Sequence, residues 1–271
     1  MAPPEGANEP YGGLAVVPCM IDLDSLTSSG QPLAFFFDLD GTLAELQPRP
    51  KQVFIPAETL AALELLARHH GVAVVSGRPL AEIDGFTAPL RLPAAGVHGA
   101  EWRDPQGNTH RVELDASVLA QVGQRLEAAL ADHPDLLLER KSVAFALHYR
   151  QAPEKEALVR ELAEGIAAEH PEFKLQPGKC VFELKPAGAS KGEAITRFLE
   201  LEPFAGCLPV FLGDDRTDEA GFAVVNARGG LSVKVGEGET VAKTRLPSVT
   251  AVALWLQQLS RDLAPHYKQG D

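Results

Sequence analysis

Cysteine is scarce in this chain of 271 residues, and Cys19, Cys180 and Cys207 lie far apart with no C-x-x-C spacing. This pattern argues against a zinc site and a disulfide framework, and it predicts a reducing, cytoplasmic environment. Long apolar runs are also missing, since none reaches the roughly 18 residues that a membrane-spanning helix needs. A signal peptide is not predicted, because no positively charged segment precedes an apolar core at the start.

Positive charge is in short supply as well. Lysine and arginine together number 25 against 37 aspartates and glutamates, which gives a net charge of -12. An acidic protein gains nothing from the attraction of polyanions, so nucleic acid is not an expected partner. The sequence gives no sign of oligomerisation, and a monomer is the default expectation. The first 30 residues are rich in Pro, Gly and Ser and predict a flexible N-terminal tail.

What the sequence does contain is an alternation of short apolar runs and helical patterns. Such βαβ alternation predicts a doubly wound parallel sheet with helices on both faces. In the first part of the chain the predicted elements are strands at 34–37, 72–75 and 93–97, a helix at 56–70, and a short helix from about 80.

The pattern changes after the turn at 104–108 and resumes near Pro186. The intervening order αββαββ predicts a small α+β module with an antiparallel sheet, inserted as a cap. Its predicted elements are helices at 115–131 and 154–169, strands at 136–141 and 143–149, and a hairpin of 173–176 and 179–184 around Pro177-Gly178. The resumed core has a helix at 191–200, a strand at 208–212 and a helix at 250–263. The predicted division is a tail at 1–30, core at 31–104, cap at 105–185 and core at 186–271.

Two carboxylates follow the first apolar strand. Asp38 and Asp40 come directly after the run that ends at Phe37, and Gly41 lets the backbone turn sharply. Ligands bind at the carboxyl ends of strands in open parallel sheets. Two carboxylates this close need a cation or a shared proton, and Mg²⁺ meets that need with oxygen ligands. An isolated Asp-x-Asp is more often a solvated turn, but the buried strand before it favours a site.

Three further strand or helix ends carry polar residues. Ser76 ends the second strand, where a hydroxyl and helix amides can hold an anion, although a serine here is often just a helix cap. Lys191 lies in the first turn of a helix that a Ser190–Glu193 capping box begins, which opposes the helix dipole and indicates a nearby anion unless the lysine is simply exposed. Residues 213–219, Gly-Asp-Asp-Arg-Thr-Asp-Glu, form a candidate cation site or an exposed acidic loop.

Together these features resemble the four motifs of the haloacid dehalogenase superfamily, over residues from about 34 to 245. The inserted module resembles that superfamily's type C2B caps. Six short sequence motifs are also similar to those of the trehalose-6-phosphate phosphatases. They are Ser76-Gly77-Arg78-Pro79, Gly96-Val97-His98-Gly99-Ala100-Glu101, Glu139-Arg140-Lys141, His148-Tyr149-Arg150, Gly188-Ala189-Ser190-Lys191-Gly192 and Gly213-Asp214-Asp215-Arg216-Thr217-Asp218-Glu219.

The resemblance implies a Mg²⁺-dependent phosphomonoester hydrolase that works through an aspartyl-phosphate. Asp38 would be the nucleophile, Asp40 the acid and then the base, and Ser76 and Lys191 would neutralise the phosphoryl oxygens. The metal would be held by the Asp38 carboxylate, the Asp40 backbone carbonyl and Asp214, with Asp215 and Asp218 farther out or acting through water. The implied substrate-binding residues are Asp38, Leu39, Asp40, Ser76, Gly77, Arg78, His98, Glu139, Lys141, Lys179 and Glu183.

Several alternatives remain open at the level of sequence. Another C2B phosphatase, acting on sucrose phosphate, mannosyl-phosphoglycerate or a hexose phosphate, would share the core motifs. A phosphomutase, or a pseudoenzyme that binds a sugar phosphate and regulates a partner, would share the fold. The cap charges could equally be exposed strand residues, and His98 could be structural rather than a substrate contact.

Overall fold

The computed structural model describes residues 30–47, 49 and 52–263. Its core elements in chain order are β1 (Leu33–Phe37), α1 (Ala57–Ala67), β2 (Gly71–Val75), α2 (Leu80–Thr87), β3 (Ala94–Gly96), β4 (Glu101–Arg103) and β5 (Thr109–Arg111). After the cap they are α5 (Lys191–Phe198), β10 (Leu208–Gly213), α6 (Glu219–Ala227), β11 (Leu231–Val235), β12 (Thr244–Leu246) and α7 (Val249–Asp262). Apart from Gly30, the predicted tail at 1–30 lies outside the described residues.

The core strands form one eight-stranded sheet in the order β12-β11-β10-β1-β2-β3-β4-β5. The pairs from β12 to β3 are parallel, and β4 and β5 add antiparallel strands at the edge. The chain winds outward from β1 in one direction and from β10 in the other. The carboxyl ends of β1 and β10 therefore lie side by side at the point where the winding reverses, which is where such sheets bind ligands.

Both faces of this sheet are buried, as the apolar β1 predicts. All five residues of β1 are buried, and they alternate between two apolar clusters. Phe35 and Phe37 pack on one face with α1, α2 and α7, while Phe36 packs on the other face with α5 and α6. This arrangement confirms the predicted α/β, doubly wound class. Because packing holds β1 on both sides, the position of the residue that follows it is fixed.

The inserted cap contains α3 (Ala116–Leu130), β6 (Leu137–Arg140), β7 (Phe145–His148), α4 (Glu156–Glu169), β8 (Phe173–Gly178) and β9 (Val181–Pro186). Its four strands form a separate antiparallel sheet in the order β6-β7-β9-β8. One face of that sheet packs with α3 and α4 through residues such as Phe145, Phe182 and Leu184. Alternation along β9 places Glu183 and Lys185 on the opposite face, which looks toward the core.

The structure corrects three details of the predicted layout. The β4–β5 hairpin belongs to the core sheet, so residues 109–111 are not cap residues and the boundary expected at 104 is too early. The second cap hairpin turns at Lys179-Cys180 rather than at Pro177-Gly178, because Gly178 pairs with Val181 and Cys180 takes a φ of 60°. β11 and β12 were not predicted, since short strands of mixed polarity give a weak pattern.

The sequence makes predictions about membrane-spanning helices and about disulfides, and the structure has features relevant to both. Among the helices of the described residues, none combines the length and apolarity needed to cross a bilayer. Cys180 and Cys207 are free thiols, while Cys19 lies outside the described residues.

Candidate active site

Asp38 lies at the carboxyl end of β1, beside the end of β10. Its backbone N–H donates to the Leu212 carbonyl at 2.9 Å, which continues the parallel ladder one residue past the strand. The side chain is almost fully buried, with 4% exposure. One carboxylate oxygen, Oδ1, accepts a hydrogen bond from Lys191 Nζ at 2.7 Å. The predicted nucleophile is therefore held in a fixed orientation by a buried cation.

Lys191 is the first residue of α5, where the sequence predicts it. Ser190 is the N-cap and accepts a hydrogen bond from the Glu193 N–H at 3.0 Å. Lys191 is 3% exposed, and its ammonium also donates to Asp218 Oδ1 at 2.6 Å. Burial alone would lower the pKa of Lys191, but the charges of Asp218 and Asp38 outweigh it and raise that pKa above its ordinary value. The lysine therefore stays protonated.

Three carboxylates gather around this lysine. One oxygen from each of Asp38, Asp214 and Asp218 lies within 4.8 Å of the others. Burial raises the pKa of Asp38, and burial together with the charge of Asp218 raises the pKa of Asp214 to about 6. Burial is the main cause, the neighbouring carboxylates add to it, and Lys191 acts in the opposite direction. A hard divalent cation takes oxygen ligands and offsets the repulsion among clustered carboxylates, so this donor set fits Mg²⁺.

The position of Asp40 differs from that of the other predicted metal ligands. Its carboxylate is not part of the cluster but forms a two-bonded ion pair with Arg78, at 2.6 Å from Nε and 2.7 Å from Nη2. Arg78 also donates to Glu82 at 2.8 Å and stacks over the Phe86 ring. Asp218, predicted to lie farther from the metal, is the third clustered carboxylate. Only the backbone carbonyl of Asp40 remains available as the ligand that the resemblance implies.

Two glycines allow the carboxylates to come this close to the backbone. A Cβ on Gly41 would lie 2.1 Å from Asp214 Oδ2, and the φ of Gly41 is +80°. A Cβ on Gly213 would lie 2.3 Å from the Asp218 carboxyl carbon. Any larger residue at either position would displace a member of the cluster, so these two glycines are part of the site.

The remaining predicted core residues surround Asp38 and Asp40. Ser76 is buried at the end of β2, and its Oγ accepts from the Arg78 N–H at 3.2 Å. The side chain of Leu39 packs into the apolar core, so only its backbone is available to a ligand. Gly77 offers its carbonyl to Lys141 of the cap at 3.0 Å. The β2 end is thus the place where cap and core meet.

Glu183 links the cap sheet to the core. It pairs with His98 Nε2 and with Lys141 Nζ, both at 2.5 Å. Burial works to raise the pKa of Glu183, but His98 and Lys141 outweigh it, so that pKa lies well below its ordinary range. Burial lowers the pKa of His98. His98 is buried and joins Glu183 of the cap to the core, so this histidine has a structural contact whether or not it also touches a substrate.

The other two predicted cap residues make no side-chain hydrogen bond to a core residue in the described part of the chain. Glu139 pairs with His148 at 2.9 Å, and this bond lowers the pKa of Glu139. Lys179 is exposed on the β8–β9 turn, and its ammonium makes no hydrogen bond to another described residue. The structure thus brings Lys141 and Glu183 to the core and leaves Lys179 at the rim.

Sequence reasoning missed several contacts that hold the site together. Ser142 of the cap donates to Glu101 Oε2 at 2.6 Å, and Glu101 Oε1 accepts from the Leu80 N–H at 2.7 Å. Lys234, at the end of β11, donates to the Asp214 carbonyl. Glu101 belongs to the Gly96–Glu101 string on which the family resemblance rests. Nothing in the sequence indicates that Ser142 and Lys234 make these hydrogen bonds.

Comparison with known sequences gives consistent results. A model of the trehalose-phosphatase family matches residues 36–249. The chain is 50% identical over 232 residues to the trehalose-6-phosphate phosphatase of Escherichia coli (strain K12), covering 85% of this chain and 87% of that protein. It is 40% identical over 217 residues to a probable trehalose-phosphate phosphatase of Sinorhizobium fredii (strain NBRC 101917 / NGR234), covering 79% and 82%.

Solved structures agree on the fold. The C-terminal domain of the Candida albicans trehalose-6-phosphate phosphatase superposes with a TM-score of 0.77 at 24% identity, covering 88% of this chain and 95% of that chain. A trehalose-6-phosphate phosphatase related protein superposes with a TM-score of 0.70 at 27% identity, covering 84% and 97%. Core and cap both lie within the shared architecture.

Proposed function

Because this chain belongs to the trehalose-phosphatase family, we propose that it hydrolyses trehalose 6-phosphate to trehalose and phosphate, the last step of trehalose biosynthesis. The observation that carries the proposal is the buried Asp38 carboxylate, held by Lys191 beside a cluster of further carboxylates. A module that only bound a sugar phosphate would not need a fixed, buried nucleophile. The 50% identity to an enzyme named for this reaction supports the choice of substrate.

In the proposed mechanism Asp38 attacks the phosphorus through the oxygen that Lys191 leaves unbonded. An aspartyl-phosphate forms, and the P–O bond to the sugar breaks. Lys191 stays cationic and, with the Ser76 hydroxyl, neutralises the charge that develops on the phosphoryl oxygens. Asp218 fixes the Lys191 ammonium from the other side. Water then cleaves the acyl phosphate and restores Asp38.

Asp40 serves as the proton donor to the departing sugar oxygen and then as the base for the incoming water. The two hydrogen bonds from Arg78 set the direction of its carboxylate. Arg78 is therefore proposed as a positioning residue for Asp40, in addition to the substrate contact that the resemblance implies.

Asp38, Asp214 and the Asp40 carbonyl are the proposed residues that would hold Mg²⁺, and Asp218 belongs to the same carboxylate cluster. The bound cation would supply positive charge to the phosphoryl group and lower the repulsion between nucleophile and phosphate. The grouping of Asp38, Asp214 and Asp218 supports this proposal, because clustered carboxylate oxygens suit a hard divalent cation.

Recognition of the sugar is proposed for the polar face of the cap sheet. Glu139, Lys141 and Glu183 offer charged groups that suit the hydroxyls of a disaccharide. In this structure Lys141 and Glu183 form an ion pair with each other. Lys141 also donates to the Gly77 carbonyl of the core, and Glu183 also pairs with His98 of the core. A bound sugar would exchange some of these contacts for its own hydroxyls while the cap excludes water.

The test is phosphate release from a panel of sugar phosphates, with Mg²⁺ and with a chelator. The panel contains trehalose 6-phosphate, sucrose phosphate, mannosyl-phosphoglycerate and glucose 6-phosphate. We expect the largest kcat/KM for trehalose 6-phosphate and loss of turnover on chelation. A larger value for another ester would overturn the substrate, and turnover without metal would overturn the metal assignment. Absence of turnover with every ester, despite tight binding, would favour the regulatory alternative.

Two expectations about the environment of the protein stay predictions. The cysteine pattern predicts a cytoplasmic location, and the monomeric state is a default that sedimentation analysis can test.

A further inference from the structure

A polar cavity of about 300 Å³ lies between the cap sheet and the start of α5. Lys174 and Lys185 line it from the cap, and Ser190 and Arg216 line it from the core. Asp38, Lys141 and Glu183 are not among its lining residues. The cavity is therefore separate from the catalytic centre, although it adjoins the helix that carries Lys191.

Lys185 is an unusual residue for a protein interior. It is 4% exposed, and its ammonium has no hydrogen bond or ion pair with any residue in the described part of the chain. Burying a charge without a bonded partner is costly. Burial, with smaller effects of the charges of Lys174 and Lys191, lowers the pKa of Lys185 to about 8, although Glu183 acts in the opposite direction. The Lys185 ammonium therefore has no bonded anionic partner in this cavity.

Two more cations face the same cavity. Lys174 lies directly across from Lys185 in the β8–β9 ladder, which places like charges opposite each other, an unfavourable arrangement. Arg216 approaches from the core side, and within the described residues its guanidinium forms no ion pair. Glu193 supplies one carboxylate to the lining, so three cations face one anion.

We propose that Lys174, Lys185 and Arg216 form a second oxyanion site, which binds inorganic phosphate or the phosphate group of the incoming ester. Lysine and arginine donors suit a tetrahedral oxyanion because each makes charge-assisted hydrogen bonds to its oxygens. The preference for phosphate over other anions rests on the proposed function, which produces one phosphate per turnover. The site adjoins the first turn of the helix that carries Lys191, where it could hold a phosphate that enters or leaves the catalytic centre.

The test uses the full chain with Mg²⁺ and titrates it with inorganic phosphate by calorimetry. The variant is K174Q/R216Q, in which both substituted residues are exposed and lie outside the catalytic centre. The matched control is R91Q/R228Q, which removes the same charge at exposed positions elsewhere. We expect two phosphates per native or control chain, and a loss of about tenfold in affinity for one of them in K174Q/R216Q.

Steady-state kinetics distinguishes the two sources of the oxyanion. If the site serves the ester, K174Q/R216Q raises KM for the sugar phosphate relative to R91Q/R228Q. If the site serves free phosphate, KM stays at the control value and only the calorimetric affinity falls. The proposal is overturned if the variant equals the control in both phosphate stoichiometry and KM. Calorimetry needs no turnover, so this result is independent of the substrate assignment.

Lys185→Met tests the buried cation separately. Because Lys185 has no bonded partner, the melting temperature of this variant should equal or exceed that of the native chain, while the second phosphate is lost. A fall of several degrees would show that Lys185 has an internal structural role and would contradict the proposal.

Discussion

At the scale of single residues, Lys191 determines the electrostatics of the catalytic centre. Its ammonium bridges Asp38 and Asp218, and all three side chains are buried. Burial and the charge of Asp218 raise the pKa of Asp214 to about 6, although Lys191 and Lys234 act in the opposite direction. Lys191 thus keeps Asp38 oriented, and the remaining negative charge is available to a metal ion.

Replacing Asp38 tests the nucleophile. We expect Asp38→Asn to lower kcat by at least about a thousandfold, because the amide cannot attack phosphorus. The fold should persist, since Lys191 keeps Asp218 as a partner and repulsion within the cluster falls. Phosphate release and thermal melting give the two readouts, with the exposed Glu200→Gln as control. A substantial residual rate in Asp38→Asn would refute the assignment.

Arg78→Lys tests the positioning of Asp40. A lysine can replace only one of the two hydrogen bonds that Arg78 donates, so the Asp40 carboxylate would lose its fixed direction. We expect kcat to fall by about tenfold with little change in KM. Arg68→Lys, at an exposed ion pair in α1, is the control. A raised KM with an unchanged kcat would instead assign Arg78 to substrate binding.

At the scale of elements, the site depends on how closely the loop after β1 approaches the end of β10. The two strands pair in register up to Phe37 and Leu212, so Asp38 follows β1 directly beside the end of β10. Gly41 then turns the chain back with a positive φ and comes into contact with Asp214. The parallel ladder fixes where the carboxylates are, and the glycine fixes how near they come.

Two glycine variants distinguish the close contact at Gly41 from the general effect of replacing a glycine by alanine. Gly41→Ala should abolish turnover and lower the melting temperature, because its Cβ meets Asp214 Oδ2 and its φ is strained. Gly85→Ala lies within α2, where a Cβ meets nothing within 4 Å, and should raise the free energy of unfolding by up to about 1 kcal/mol. Activity assays and denaturant unfolding measure both, and native-like turnover in Gly41→Ala would contradict the close approach.

At the scale of the whole molecule, a small set of polar contacts docks the cap on the core. Glu183 binds His98, Lys141 binds the Gly77 carbonyl, and Ser142 binds Glu101. The first two contacts involve residues that the resemblance assigns to the sugar. Under the proposed function, docking and substrate recognition compete for these groups, which is the arrangement expected of a cap that opens and closes around a ligand.

The pH dependence of stability tests the Glu183 contact. The pKa of Glu183 is lower in the folded protein than its ordinary 4.5, so its stabilising effect is full above about pH 4.5 and declines as the pH falls toward the folded value. We expect the difference in free energy of unfolding between the native chain and Glu183→Gln to be larger at pH 7 than at pH 3.5. Denaturant unfolding measures it, with Glu200→Gln as control, and a difference that does not change with pH would refute the ion pair.

The sequence by itself determined the fold class, and it predicted which polar residues follow the strand ends. The apolar β1, the Asp38–Asp40 pair and the Ser190 cap are local patterns. They predict a buried strand, the loop that follows it and the start of a helix, each from a few consecutive residues. The order of the elements then predicts that Asp38, Lys191 and Asp214 meet at one edge of the sheet. What the patterns could not give is the partner of each side chain, because partners are distant in sequence.

Only the tertiary structure decided those partners. It paired Asp40 with Arg78, placed Asp218 beside Lys191, and left Lys185 buried without a bonded partner. It also moved β5 from the cap into the core, because pairing with β4 outweighed a weak local signal. These outcomes depend on the distance and burial of charges brought together by packing, and those quantities exist only once the chain has folded.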